Sequence, residues 1–441
     1  MRPDYQHQSR ATTADRPKRI PHDGWDYLLF LPSIWIAAAL GISLRTIGPG
    51  FVVVPITSCF VYAIVRRARP PVLLSCYVAY CLFIALASAL RLMPVSWQLY
   101  FMPEAVVRQL VPTVAFLAVA WASVAYFSRH HTYQHLCSRS ALILFLCLAV
   151  APATMVTQGL RYLGDGAEHS ALALYGALIN NMLIAMLFLT AHLYLGGNAR
   201  RWLSLMAILG IAVTTPFLQF KILAAAIMAM LIGFAGRLVA AALVAAFFIV
   251  YTAELDNIPR VMEISSDSGI RLQFISDALR SLGDTFGIGI GYGTESVRWV
   301  YRFPNLPAFA FLPDASSMTS DRLLEALSTG VHNSFIQALL RTGVVGFCLL
   351  GAAFLAAFPR ASASRNVRNH ACAAFSLIFL ACFVNPALES PVQVVGIGFI
   401  YGYLVALRQS VTRQQASPTP ISDGVLPNGR IPVISRTPKP A

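Results

Sequence analysis

The sequence predicts an all-α polytopic membrane protein, with about twelve transmembrane helices and one large, partly helical loop on the outer side. Three observations carry that prediction. Hydrophobic residues make up 57% of the 441 and charged residues 12%, whereas ordinary globular domains are about 25% charged. Repeated runs of about 18 residues are almost free of charge, the length a helix needs to cross a bilayer. The polar residues gather instead in two tails and one interior stretch, 254–331.

Residues 1–26 hold Arg2, Arg10, Arg16, Lys18 and Arg19 among prolines and threonines. They read as a disordered cytoplasmic tail, and without an apolar core no cleavable signal peptide is expected. Nine spans then fill 27–253, at about 27–44, 50–65, 72–90, 109–127, 140–158, 172–195, 202–217, 218–236 and 238–253. Three more, at about 334–358, 370–385 and 391–407, lie within 332–407, and 408–441 reads as a second disordered cytoplasmic tail. The spans that abut at Gly236-Arg237 are the doubtful pair, since one longer helix there gives eleven.

Loop charge decides between the two counts. With twelve spans and a cytoplasmic N-terminus, the short inner loops carry eleven basic residues, Arg66, Arg67, Arg69 and Arg129 among them, and the short outer loops five. Merging the pair moves Arg360, Arg365 and Arg368 outside and leaves Asn385–Ser390, with no basic residue, inside. The excess of arginine on cytoplasmic loops favours twelve. The net charge of +14 is therefore an orientation signal rather than a nucleic-acid footprint, because it is spread over loops and tails.

The same count places 254–331 on the outer face. A loop that long is usually functional. Asp277 to Leu282 and Ser320 to Leu327 read as short amphipathic helices, with Ser320 as N-cap and Gly330 as stop. None of the eight cysteines lies in this loop, so neither a disulfide framework nor a Cys-x-x-Cys metal pattern is expected. Its aspartates, Asp256, Asp267, Asp277, Asp284, Asp314 and Asp321, are scattered. No metal and no cofactor is expected.

The stretch with most chemical promise is Val331 to Phe347. Asn333 or Ser334 can cap a helix there, because a side-chain oxygen can accept from a free first-turn N–H. His332 then sits just outside the positively polarised helix end, which disfavours the imidazolium and keeps a base unprotonated near neutral pH. Asn333 can cap or can orient a substrate; the sequence does not separate the two. The helix becomes fully apolar only after Arg341, so its first turns emerge from the membrane. Arg271 offers a planar fork that fits a diphosphate, and Arg280, nine residues on, is a second cation to support it. Lys221 lies at the outer end of a span, where a cation must snorkel or pair with an anion. Gly287, Gly289, Gly291 and Gly293 alternate strictly, which suits either a tight backbone path or a flexible bend. Asn180, Asn181 and His192, and Asn385-Pro386 with Glu389, are expected to face the bundle interior.

The string His332-Asn-Ser-Phe-x-Gln-x-Leu-x-x-x-Gly-x-x-Gly346, preceded by Ser268-Gly-Ile-Arg-Leu272 and by Gly287-Ile-Gly-Ile-Gly-Tyr-Gly293, resembles the signature of the O-antigen ligase and polysaccharide polymerase superfamily. The resemblance covers about residues 200–400, and the chain reads closer to the exopolysaccharide-production branch. It implies a multi-pass protein of the bacterial inner membrane with a periplasmic loop at 254–331. The implied activity is a glycosyltransferase that polymerises or transfers polyprenyl-diphosphate-linked oligosaccharide. The resemblance casts His332 and Arg271 as catalytic. Lys221 and Arg280 become diphosphate ligands, and Asn333, Gly289 and Gly291 supporting residues. Where the family often carries a serine before the cation of Lys221, this chain has Phe220. Expected partners are the lipid-linked oligosaccharide, the bilayer, and flippase and chain-length or export proteins. Nucleic acid is not among them.

Two other classes remain open. One is a twelve-span secondary transporter or lipid-linked sugar flippase, which would place ionisable residues near the midplane and often repeats its halves. No such repeat is visible here. The other is a structural component of an export complex, with only the charge-poor spans in its favour.

Overall fold

The computed structural model describes residues 24–30, 33–34, 50–93, 101, 103–129, 182–196, 198–214, 224–228, 238–239, 242, 278–293, 333–358, 364–384, 387–390 and 393–416. Among these every regular element is a helix, with no strand. After a short turn at Asp26–Phe30 come α1 (Gly50–Val65), α2 (Val72–Ala89), α3 (Pro103–Arg129), α4 (Met182–Leu195), α5 (Asn198–Thr214), α6 (278–284), α7 (Ser334–Ala357), α8 (Arg365–Val384) and α9 (Gln393–Ala416). Four of them, α2, α3, α7 and α9, are long and apolar enough to cross a membrane. These apolar helices identify a membrane-embedded chain.

The expected spans at 50–65, 72–90, 109–127, 202–217, 334–358, 370–385 and 391–407 each overlap a helix, with α3 and α8 starting earlier and α9 ending later than expected. The spans expected at 27–44, 140–158, 172–195, 218–236 and 238–253 lie wholly or partly outside the described residues, with α4 covering the later part of 172–195. So do most of the two tails and most of the 254–331 loop.

Two tail boundaries need correction. Asp26, assigned to the disordered N-terminal tail, is buried: its carboxylate accepts from Tyr62 Oη at 2.6 Å and from Arg66 at 2.8 Å. An anion held by two donors is anchored. The C-terminal tail starts later than 408, because α9 continues to Ala416. Arg408 reaches back to the carbonyls of Leu355 and Ala356 at the end of α7, which ties the added turns to the bundle.

The tightest helix pair is α3 with α9. Gly398 and Gly402 form a small-x-x-x-small face on α9, opposite Phe116, Val119, Ala120 and Ser123 on α3. A Cβ on Gly398 would meet Val119 Cβ at 3.1 Å, and one on Gly402 would meet Ser123 Cβ at 2.5 Å. Small residues let two backbones approach, which is how helices associate where water supplies no hydrophobic drive. Since Gly398 lies by Phe116–Val119 and Gly402 by Ala120–Ser123, the two helices run parallel. α7 runs the same way, from Ser334 beside Leu388 to Ala353 beside Tyr401. α2 and α8 run against them. The C-terminus of α2, the N-termini of α3 and α7, and the turn at 387–390 therefore meet at one end of the bundle.

α7 is broken near that end. Gly343 has φ 66° and ψ −167°, a backbone open essentially to glycine alone. Into the break fits the glycine run after α6. Gly287 O accepts from Val344 N at 3.0 Å, Ile290 N donates to Leu340 O at 2.8 Å, and Gly291 N donates to Arg341 O at 3.0 Å. The rest of the run is equally satisfied. Gly289 N donates to Thr285 Oγ1, Tyr292 N to Ser88 Oγ at 2.9 Å, and Gly293 N to Gln109 Oε1 at 2.7 Å. All four glycines have positive φ, and a Cβ on Gly289 would sit 2.6 Å from Gly343 N. The alternating glycines are thus a tight path, and what they approach is α7 and α2. The helix expected at Asp277 to Leu282 is α6.

Candidate functional site

The end of the bundle where α2, α3, α7 and the 387–390 turn meet encloses a cavity of about 370 Å³, counting its open mouth. Tyr77, Gln109, Thr113, Tyr292, Ser334, Arg341 and Glu389 contribute to its wall, with Phe116, Ala338 and Leu388. Its enclosed part has room for about one water molecule.

Local sequence positions each group. Asn333 is the N-cap of α7: its Oδ1 accepts from Phe335 N at 3.0 Å and Ile336 N at 3.1 Å. The capping role is therefore seen directly, with this side-chain oxygen bonded to the backbone. The cap starts the helix so that Ser334, Gln337, Ala338 and Arg341 fall on one buried face, at the i, i+3, i+4, i+7 spacing of a helical stripe. Ser334 Oγ accepts from Leu388 N at 3.1 Å and so fixes the turn that carries Glu389.

Arg341 and Glu389 then form an ion pair, Nε to Oε1 at 2.5 Å, with side chains 4% and 14% exposed. The guanidinium also lies over the Tyr292 ring, 5.1 Å from its centroid, a cation–π contact. Burial pushes the Glu389 carboxyl above its ordinary 4.5, while Arg341 and then Gln337 pull it back. A desolvated pair of opposite charges in an otherwise apolar bundle is costly unless its geometry is supported. Here Tyr292, Gln337 and Ser334 supply the support.

Of the residues the sequence points to, the structure places Asn333, Gly289, Gly291 and Arg280. Asn333 caps α7 at the cavity, and Gly289 and Gly291 shape the strand-like run that carries Tyr292 into it. Arg280 is exposed on α6 and does not line the cavity. His332, Arg271 and Lys221 lie outside the described residues. Glu389 faces the bundle interior, as expected for that position. Sequence reasoning treats Arg341 merely as the border of the polar turns and does not pair it with Glu389. A usable signal existed: Arg341 is the one charged residue in Ser334–Ala357, and an ionisable residue within a span marks a site by default. Among the described residues no group of three His, Cys, Asp or Glu side chains is placed to hold a metal ion.

Comparison of the whole sequence with known protein families and with characterised proteins gives no match.

Proposed function

We propose that the chain is a membrane glycosyltransferase that uses polyprenyl-diphosphate-linked oligosaccharide at the outer face of the bacterial inner membrane, as a polysaccharide polymerase. One observation carries the reading: Asn333, bonded directly to His332, caps α7 beside a cavity that gathers a buried arginine, a carboxylate and hydrogen-bonding side chains. Within the family-like string, Ser334, Ala338 and Arg341 line that cavity, which supports the reading.

In the proposed reaction His332 takes the proton of an acceptor sugar hydroxyl, and the freed oxygen forms a bond to the anomeric carbon. The bond from that carbon to the diphosphate oxygen breaks, and the electron pair leaves with the polyprenyl diphosphate. Arg271 and Lys221, with Arg280, neutralise the departing charge, which is the larger electrostatic contribution. Direct displacement inverts the anomeric centre. No metal enters this scheme. Arg341 and Glu389 position the start of α7 and touch no reacting atom.

The reading also needs twelve spans with 254–331 in the periplasm. The parallel course of α3 and α7 supports that count, because parallel helices require an odd number of crossings between them. The twelve-span arrangement supplies five such crossings, and the eleven-span one four.

The buried Arg341–Glu389 pair beside the break at Gly343 favours a second reading, a transporter or flippase, since interrupted helices with buried charges build such sites. Detergent-solubilised protein separates the two, because without compartments only a transferase changes its substrate. Purified wild type given a lipid-linked repeat unit is expected to form longer lipid-linked chains, and His332→Ala and Arg271→Ala to form none while remaining folded. Absence of product from the wild type, or full product from His332→Ala, overturns the proposal. Lipid-linked chains of several repeats mark a polymerase; transfer to a different acceptor marks a ligase.

A further inference from the structure

The turn between α6 and the glycine run has a feature the cavity does not use. α6 ends with Phe286 N donating to Gly283 O and Gly287 N to Leu282 O, the paired bonds of a Schellman motif. Phe286 is its left-handed residue, with φ 52°. Glycine is usual there because a Cβ crowds the left-handed backbone, and a bulky aromatic is an outlier. Nor is Phe286 retained for packing: its side chain is 94% exposed.

What surrounds it identifies the environment it fits. Leu279 and Ile288, on either side in sequence, are also exposed. The turn rests on Val344, which with Val345 and Leu90 continues the apolar surface onto the exposed faces of the membrane-crossing helices α7 and α2. Its level is fixed by Tyr292 N on Ser88 Oγ, because Ser88 is one residue short of Ala89, where the apolar length of α2 runs out. Arg91 and Leu92, just beyond, are exposed. An exposed aromatic at that level continues the exposed apolar faces of two helices long and apolar enough to cross a membrane.

We propose that the 286–288 turn is an interfacial anchor whose occupant is bilayer lipid, with Phe286 inserted into the leaflet at this end of the bundle and Ile288 and Leu279 beside it. The inserted ring stabilises a backbone that glycine would otherwise be needed to relax. Because the same segment bonds to the break in α7 and carries Tyr292 into the cavity, the leaflet position sets that wall of the cavity relative to the membrane surface. The inference goes beyond the proposed chemistry and does not depend on it.

The test uses the full chain, one copy per nanodisc, with Phe286→Trp or Ile288→Trp added to the six native tryptophans. Nanodiscs are made with lipids brominated high on the acyl chain, and acrylamide is the aqueous quencher. The emission each new indole adds over wild type is expected to be blue-shifted, to lose roughly half or more to brominated lipid, and to be little affected by acrylamide. Quenching by acrylamide alone places the turn in water and overturns the proposal. Quenching by neither places it under protein and overturns it equally. Since both side chains are exposed, either variant reports if the other fails to fold.

Discussion

Gly343→Ala tests the junction on which the whole site rests. A Cβ at this position would run into Gly287 O and Ile288 O, which are backbone atoms with no rotamer to yield. To accept alanine, the glycine run must lift away from α7, and the three backbone bonds across the break go with it. At about 1 kcal/mol net for each bond, their loss costs about 3 kcal/mol. Holding alanine at φ 66°, ψ −167° adds about 1–3 kcal/mol, so roughly 4–6 kcal/mol in all. Gly351→Ala is the matched control in the same helix, because nothing lies within 4 Å of its Cβ position. There alanine is expected to gain about 0.5–1 kcal/mol by helix propensity. Hydrogen exchange read by mass spectrometry on peptides spanning 285–293 and 340–346 is the direct assay, with thermal unfolding in detergent beside it. The three lost bonds correspond to roughly a hundredfold fall in protection of those peptides. Should Gly343→Ala exchange and melt like Gly351→Ala, the docked arrangement of the run in the break is wrong.

Four further outcomes are expected. Arg341→Met or Glu389→Leu alone strands a buried charge and costs about 3–5 kcal/mol, whereas the double replacement costs clearly less than the sum, as a double-mutant cycle on unfolding midpoints would show. Burial raises the folded-state pKa of Glu389, so the folded protein holds that proton more tightly than the unfolded chain; its contribution is present below pH 4.5 and is lost as pH rises through the folded value. Glu389→Gln should remove that slope from the melting-temperature profile. Asn333→Ala costs about 1 kcal/mol through loss of the cap, while Asn333→Asp keeps an acceptor and a charge suited to the helix N-terminus, a contrast readable in exchange of the first turn of α7. Ser88→Ala leaves the buried Tyr292 N–H without its acceptor and costs about 1–3 kcal/mol in the same unfolding assay.

The sequence alone determined that this chain is helical and membrane-embedded, because a charge-free run pays its transfer energy residue by residue and needs no partner to be recognised. It also determined where α7 begins, since a cap is made by an asparagine and the backbone two and three residues on. α6 was legible for the same local reason. Its reading of Gly287–Gly293 stopped at two choices, a tight path or a loose bend. The deciding partner is Gly343, far along the chain and unremarkable in a helical run until another backbone fills its break. Only the tertiary structure decided that Arg341 meets Glu389 under the Tyr292 ring. Each is an isolated charge or ring in its own segment, and which of several polar side chains meet depends on how α2, α3, α7 and the 387–390 turn register against one another. That register is set by Gly398 and Gly402 seated on α3, by Ser334 on Leu388 and by Tyr292 on Ser88. Such contacts are matters of shape between distant segments, and hydropathy, which sums over neighbours in the chain, carries no record of them.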